Sequence, residues 1–135
     1  MRRATRQWVK KAESDHRVAI GIQIRFVPAA ADQICFLCQQ SAEKYLKALL
    51  EEVGQSIPKT HDLLLLLGLV QSQQPNLIAL RRGLTVLARY GVAPRYPGFS
   101  ATKRQAAAAV RRSEKVRRAC RSLLGLRTTR TRKRP

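Results

Sequence analysis

The chain has 135 residues, 44% of them hydrophobic and 5% aromatic, with 27 Lys and Arg against 8 Asp and Glu. That length fills one domain and buries a core without help from disulfides or a metal, and the apolar content excludes an intrinsically disordered chain. The net charge of +19 points to a polyanionic partner: nucleic acid, an anionic membrane or an acidic protein.

Taken in order, the apolar residues recur at helical steps, with no alternating strand pattern. A first helix is expected from about Thr5 to Ile24, its inner stripe running through Trp8, Ala12, Asp15, Ala19 and Ile22. Pro28 breaks the chain before a longer helix from about Ala30 to Val53. Its apolar set is Ile34, Leu37, Cys38, Ala42, Tyr45, Leu49 and Val53, and Gly54 is suited to the C′ position. After Pro58, Thr60 is a candidate N-cap for a third helix over Leu63–Val70, whose five consecutive leucines leave no polar face and call for burial. A fourth helix carries Leu77, Leu80, Leu84 and Leu87. Tyr90–Ser100, rich in Pro and Gly, reads as a loop. Ser100 is the candidate cap of a last helix reaching about Leu124, with Ala106, Ala109, Val110, Val116, Cys120, Leu123 and Leu124 turned inward.

Short loops between amphipathic helices imply antiparallel neighbours, so the expected fold is all-α, an up-and-down bundle of four to five helices over residues 1–124. Residues 125–135 have no apolar period and read as a disordered basic tail. The charge is unevenly placed: residues 101–135 carry +12 of the +19. The longest strongly apolar run, Leu63–Leu67, is far too short to span a bilayer. Three cysteines and no apolar stretch after the basic start point to the cytoplasm.

The candidates for chemistry each have a plain structural alternative. Cys35-x-x-Cys38 lacks a second ligand pair and lies inside a helix, so both read as core residues; no metal or cofactor is expected. His61 is able to orient a ligand or move a proton, or else belongs to a capping cluster with Thr60 and Asp62. His16 reads as a surface residue. Arg95 and Tyr96 form the best candidate, a guanidinium for phosphate beside a ring for stacking. Alternatively, Tyr96 packs under the loop while Arg95 caps the fourth helix. Glu43 and Lys47 are an i,i+4 pair that supports its helix. In the tail, Arg127, Arg130, Arg132, Lys133 and Arg134 suit nucleic acid bound without sequence preference, or serve solubility alone.

The segment CFLCQQSAEKYLKALL, residues 35–50, resembles the signature helix of HEPN domains, small helical bundles named for suspected nucleotide binding. Trp8 with Asp15, Gly54, Pro58, Thr60-His61-Asp62-Leu63 and Arg95-Tyr96-Pro97 follow in the order and spacing of the same family. The resemblance implies frequent homodimers with the site near the dimer cleft, frequent pairing with a minimal nucleotidyltransferase, and a phosphate-facing role for Lys44 or Lys47. RNase members carry Arg, four to six residues, then His near the last helices. Here the histidines are His16 and His61, and no such pair exists. Leu37 also stands where relatives often carry a polar residue.

The expected function is therefore a non-catalytic module for a nucleotide or RNA, using Arg95, Tyr96, Lys44 and His61. It is expected to be dimeric, off the membrane, and in a toxin–antitoxin-like pair with a nucleotidyltransferase. The alternatives are an RNase with a displaced set such as His61 and Arg95, or a scaffold or antitoxin subunit.

Overall fold

A computed structural model describes residues 1–25 and 28–128. Five α-helices follow in order: α1 (Arg3–Ile24), α2 (Ala31–Glu52), α3 (Leu63–Gln71), α4 (Arg81–Ala88) and α5 (Lys103–Leu123). A 3-10 turn, Pro75–Leu80, runs directly into α4, and two more, Arg89–Gly91 and Ala93–Arg95, shape the loop before α5. No strand occurs among the described residues, and no helix there is long and apolar enough to cross a membrane.

Helix α2 is the axis of the bundle, packed mainly against α1 and α5, with α3 and α4 on its remaining side. Its inner residues, Ile34, Cys35, Cys38, Ala42, Tyr45, Leu46, Leu49 and Leu50, are buried. Where α2 meets α1 and α5 the side chains are small: Ala12, Ala19, Cys35, Cys38, Ala42, Ala109 and Cys120 are all buried. Small residues let helix backbones approach closely, while α3 supplies bulk through buried Leu63, Leu66, Leu67 and Val70. Each fully buried leucine contributes about 1.5–3 kcal/mol. Leu65, however, is 46% exposed, so the leucine run does present one residue to solvent.

Both long inner helices end the same way. Gly54 at φ +73° lets Gln55 N–H reach the Leu50 carbonyl at 3.0 Å and its own N–H reach Glu51 at 3.0 Å. Gly125 at φ +74° repeats this, with Leu126 N–H on Arg121 O at 2.8 Å and Gly125 N–H on Ser122 O at 3.1 Å. These are Schellman closures, in which a left-handed residue satisfies the last carbonyls.

The starts differ from expectation. Asp62, not Thr60, caps α3, its carboxylate accepting from Leu64 and Leu65 N–H at 3.0 and 3.2 Å; Thr60 instead accepts from Asp62 N–H at 3.0 Å. Thr102, not Ser100, caps α5 in a full capping box with Gln105. The buried stripe of α1 is Thr5, Val9, Ala12, His16 and Ala19, so it shares only the two alanines with the expected line. Val53 and Leu123 lie exposed rather than inward, and on α5 Ser113 and Arg117 are buried in positions not expected to be core.

Candidate functional site

The loop after α4 is held by Tyr90, which is buried and meets Phe99 edge to face at 6.1 Å. Gly91 lies against α2 so closely that a Cβ there would meet the Gln39 amide at 3.4 Å. At the far end of the loop Ala101 N–H donates to the Asp32 carboxylate at 2.7 Å. Between these anchors the chain carries Pro94 and Arg95 over the first turns of α2, and the Arg95 guanidinium carbon stands 5.9 Å from the centre of the Phe36 ring.

The result is an open cleft of about 380 Å³, with Ile22, Phe36, Leu37 and Pro94 as apolar walls and Asp32, Gln33 and Arg95 as polar groups. Asp32 is engaged by the Ala101 amide, and no carboxylate lies within 4.0 Å of the Arg95 guanidinium among the described residues. Tyr96, 60% exposed, stands next in the chain. Neither structural alternative for this pair holds: Tyr96 is not under the loop, and the Arg95 side chain lies on Phe36 rather than on the carbonyls closing α4. A guanidinium on an aromatic face with an unpaired edge suits a flat ring together with a phosphate.

Lys44 and His61 are not brought to this cleft. Lys44 Nζ is 2.6 Å from Asp15 on α1, strapping α1 to α2. His61 Nδ1 lies 3.0 Å from Glu43, seven residues beyond Phe36 and so about 10 Å further along α2. Glu43 is buried and fully engaged: Lys47 Nζ donates at 2.9 Å and Gln39 Nε2 at 3.3 Å, while Gln39 also donates to the His61 carbonyl at 3.2 Å. Lys47 sits 5.4 Å from the centre of the Trp8 ring. The Glu43–Lys47 pair thus supports its helix and also pins the segment leading into α3. The His61 ring itself is 73% exposed, its position fixed from beneath by a carboxylate. In the tail, the Arg127 carbonyl accepts from Arg121 Nε at 2.6 Å. Arg130, Arg132, Lys133 and Arg134 lie outside the described residues.

Two polar clusters went unread in the sequence. His16 is buried, not on the surface: Nδ1 is 3.2 Å from Ser113 Oγ and Nε2 3.0 Å from Glu114. A carboxylate, an imidazole and a serine hydroxyl in line have the connectivity of a hydrolytic triad, but Ser113 is 1% exposed and no substrate reaches it. The signal was present, since position 16 continues the steps from Val9, Ala12 and Ala19. Glu13 receives Arg117 through Nε at 3.0 Å and Nη2 at 2.9 Å, Arg121 at 3.5 Å, and the Tyr45 hydroxyl. Burial acts to raise the Glu13 carboxyl, but these hydrogen bonds and charges prevail and hold it at about 2. Burial, with the Glu13 hydrogen bond, pushes the Tyr45 phenol up.

All three cysteines are buried free thiols. Burial raises Cys35 to about 11, aided by Asp32, and both Cys38 and Cys120 to about 12. They behave as small apolar residues. No group of three or more His, Cys, Asp or Glu suited to a metal occurs among the described residues.

Comparison with known proteins gives a consistent result. The family model of the HEPN domain matches residues 5–123. The crystal structure of TT1696 from Thermus thermophilus superposes with a TM-score of 0.77 at 24% identity, over 87% of this chain and 96% of that one. ST0689, described as an archaeal HEPN homologue, gives 0.71 at 23% identity, over 92% and 99%. At those identities the likeness speaks for the fold. No curated protein matches the chain.

Proposed function

The chain belongs to the HEPN domain family, and from that membership we propose that it is a non-catalytic binding module which holds a nucleotide, or one nucleotide of an RNA, in the Arg95 cleft. The observation that carries this reading is the Arg95 guanidinium over the Phe36 ring at the mouth of an open cleft, without a carboxylate partner among the described residues. The base would lie against Phe36 and the apolar wall, Arg95 would meet a phosphate through its paired N–H groups, and exposed Tyr96 would close over the ring. Exposed Val18 stands one turn before Ile22 on α1, so the apolar wall continues onto the surface. This favours a second bundle, or a nucleotidyltransferase subunit, covering the cleft.

A second reading, an RNase, draws on His61, an exposed imidazole oriented by a buried carboxylate as acid–base histidines are. One experiment addresses both. ATP and a short RNA are titrated into the protein at near-physiological salt, and the RNA is checked for cleavage in the same samples. The binding reading expects intact RNA and a loss of about tenfold or more in affinity for Arg95→Ala without loss of helicity, partly restored by Arg95→Lys. Unchanged binding by Arg95→Ala defeats it, and cleavage that disappears in His61→Ala establishes the RNase instead.

A further inference from the structure

A second concavity lies between α4 and α5, where the chain is most strongly basic. It encloses about 700 Å³, within the range of ligand sites, and is lined by Ala79, Leu80, Arg82, Gly83, Arg111, Arg112, Lys115 and Val116. Four of those residues are cations and none is an acid. Arg111 and Arg112 stand one turn before Lys115 on α5, at four- and three-residue steps, and Arg82 lines the same groove from α4.

Elsewhere on α5, Arg117 and Arg121 pair with Glu13, and Arg118 stands 3.6 Å from Glu114. Among the described residues no carboxylate lies within 4.0 Å of Arg82, Arg111, Arg112 or Lys115. Carboxylates are scarce in this chain, 8 against 27 Lys and Arg. The Arg112 stem runs beside Gly83, where an added Cβ would meet Arg112 Cγ at 3.6 Å, an ordinary contact, so that position has room for a side chain. The floor is aliphatic, from Leu80 and buried Val116.

We propose that this groove is a second phosphate site, distinct from the Arg95 cleft, which seats the phosphodiester backbone of a single nucleic-acid strand without reading its sequence. Three of the four cations are arginines, whose planar fork matches phosphate oxygens better than a point charge does. No aromatic residue lines the groove, so bases have nothing to stack on and the contacts stay with the backbone. A concave groove admits a single strand along its length, whereas a duplex, broad and convex, touches only the rim. The two sites share no lining residue, so neither proposal depends on the other.

The test is fluorescence anisotropy of a labelled oligouridylate with the full chain, titrated at several salt concentrations. Arg111→Ala with Lys115→Ala removes two exposed cations, and Gly83→Glu places a carboxylate in the groove at a position with room for it. Lys10→Ala with Lys11→Ala removes two exposed cations from α1 as a control for net charge. Both groove variants are expected to weaken binding about tenfold or more. The double replacement should lower the slope of log K against log salt by about 1.4, roughly 0.7 for each lost phosphate contact. ATP binding should survive both groove variants, since the two sites share no lining residue. Equal losses from the α1 control, or full binding by Gly83→Glu, overturn the proposal. Competition by polyglutamate as effective as by polyuridylate also overturns it, assigning the groove to an acidic protein.

Discussion

Glu13 is the carboxylate on which donors from α2 and α5 converge, and its replacement is the most informative single change to the polar seam. Glu13→Gln keeps the shape but leaves Arg117 with only Glu114, at 3.3 Å, and Arg121 and Tyr45 with a neutral acceptor. Removing one partner of a largely buried pair leaves a charge poorly compensated, a cost of about 2–4 kcal/mol. Because the folded carboxyl is held at about 2, below its ordinary 4.5, its contribution is complete above 4.5 and fades as the pH falls toward 2. Glu114 is lowered as well: burial opposes the shift, but the His16 hydrogen bond and the Arg117 charge prevail. Urea unfolding should therefore show a midpoint that falls between about pH 4.5 and 2, with a shallower fall in Glu13→Gln. Equal slopes for the two proteins would place the acid sensitivity elsewhere.

At the scale of elements, helix existence was legible and helix starts were not. The 3.6-residue period placed α2 and α5 to within a residue or two, and Gly54 marked the end of α2, because a left-handed residue closes it without strain; Gly125, which closes α5 in the same way, was read only as the start of the tail. At the starts two polar residues compete within three positions, and the winner depends on where the incoming chain points, which tertiary packing decides. Asp62 outcompetes Thr60, and Thr102 outcompetes Ser100. Asp62→Ala and Thr102→Ala should each cost about 1 kcal/mol, and Thr60→Ala and Ser100→Ala clearly less, as read from chemical denaturation. Reversed costs would contradict the cap assignment. The Arg95 cleft was half legible for a related reason. The Arg-Tyr-Pro tripeptide stood out locally, but its partner Phe36 is distant in sequence and no periodicity joins them. Lys44 and His61 were displaced from the site because Asp15 and Glu43 engage them first.

Across the whole molecule the +19 charge divides by use. Some cations are structural, satisfied by Glu13, Asp15, Glu43 and Glu114, while Arg95 and the α4–α5 groove hold theirs without carboxylate partners among the described residues. Net charge alone attracts any polyanion, so binding by itself says little about a site; what distinguishes a site is where the ligand rests and whether salt abolishes it. The most direct measurement is amide chemical-shift mapping of the full chain during titration with ATP at near-physiological salt. If the cleft is the nucleotide site, the perturbed amides cluster at Gln33, Phe36, Leu37, Arg95 and Tyr96 and saturate together. Shifts confined to the α4–α5 groove and the tail, or none that saturate, would contradict it.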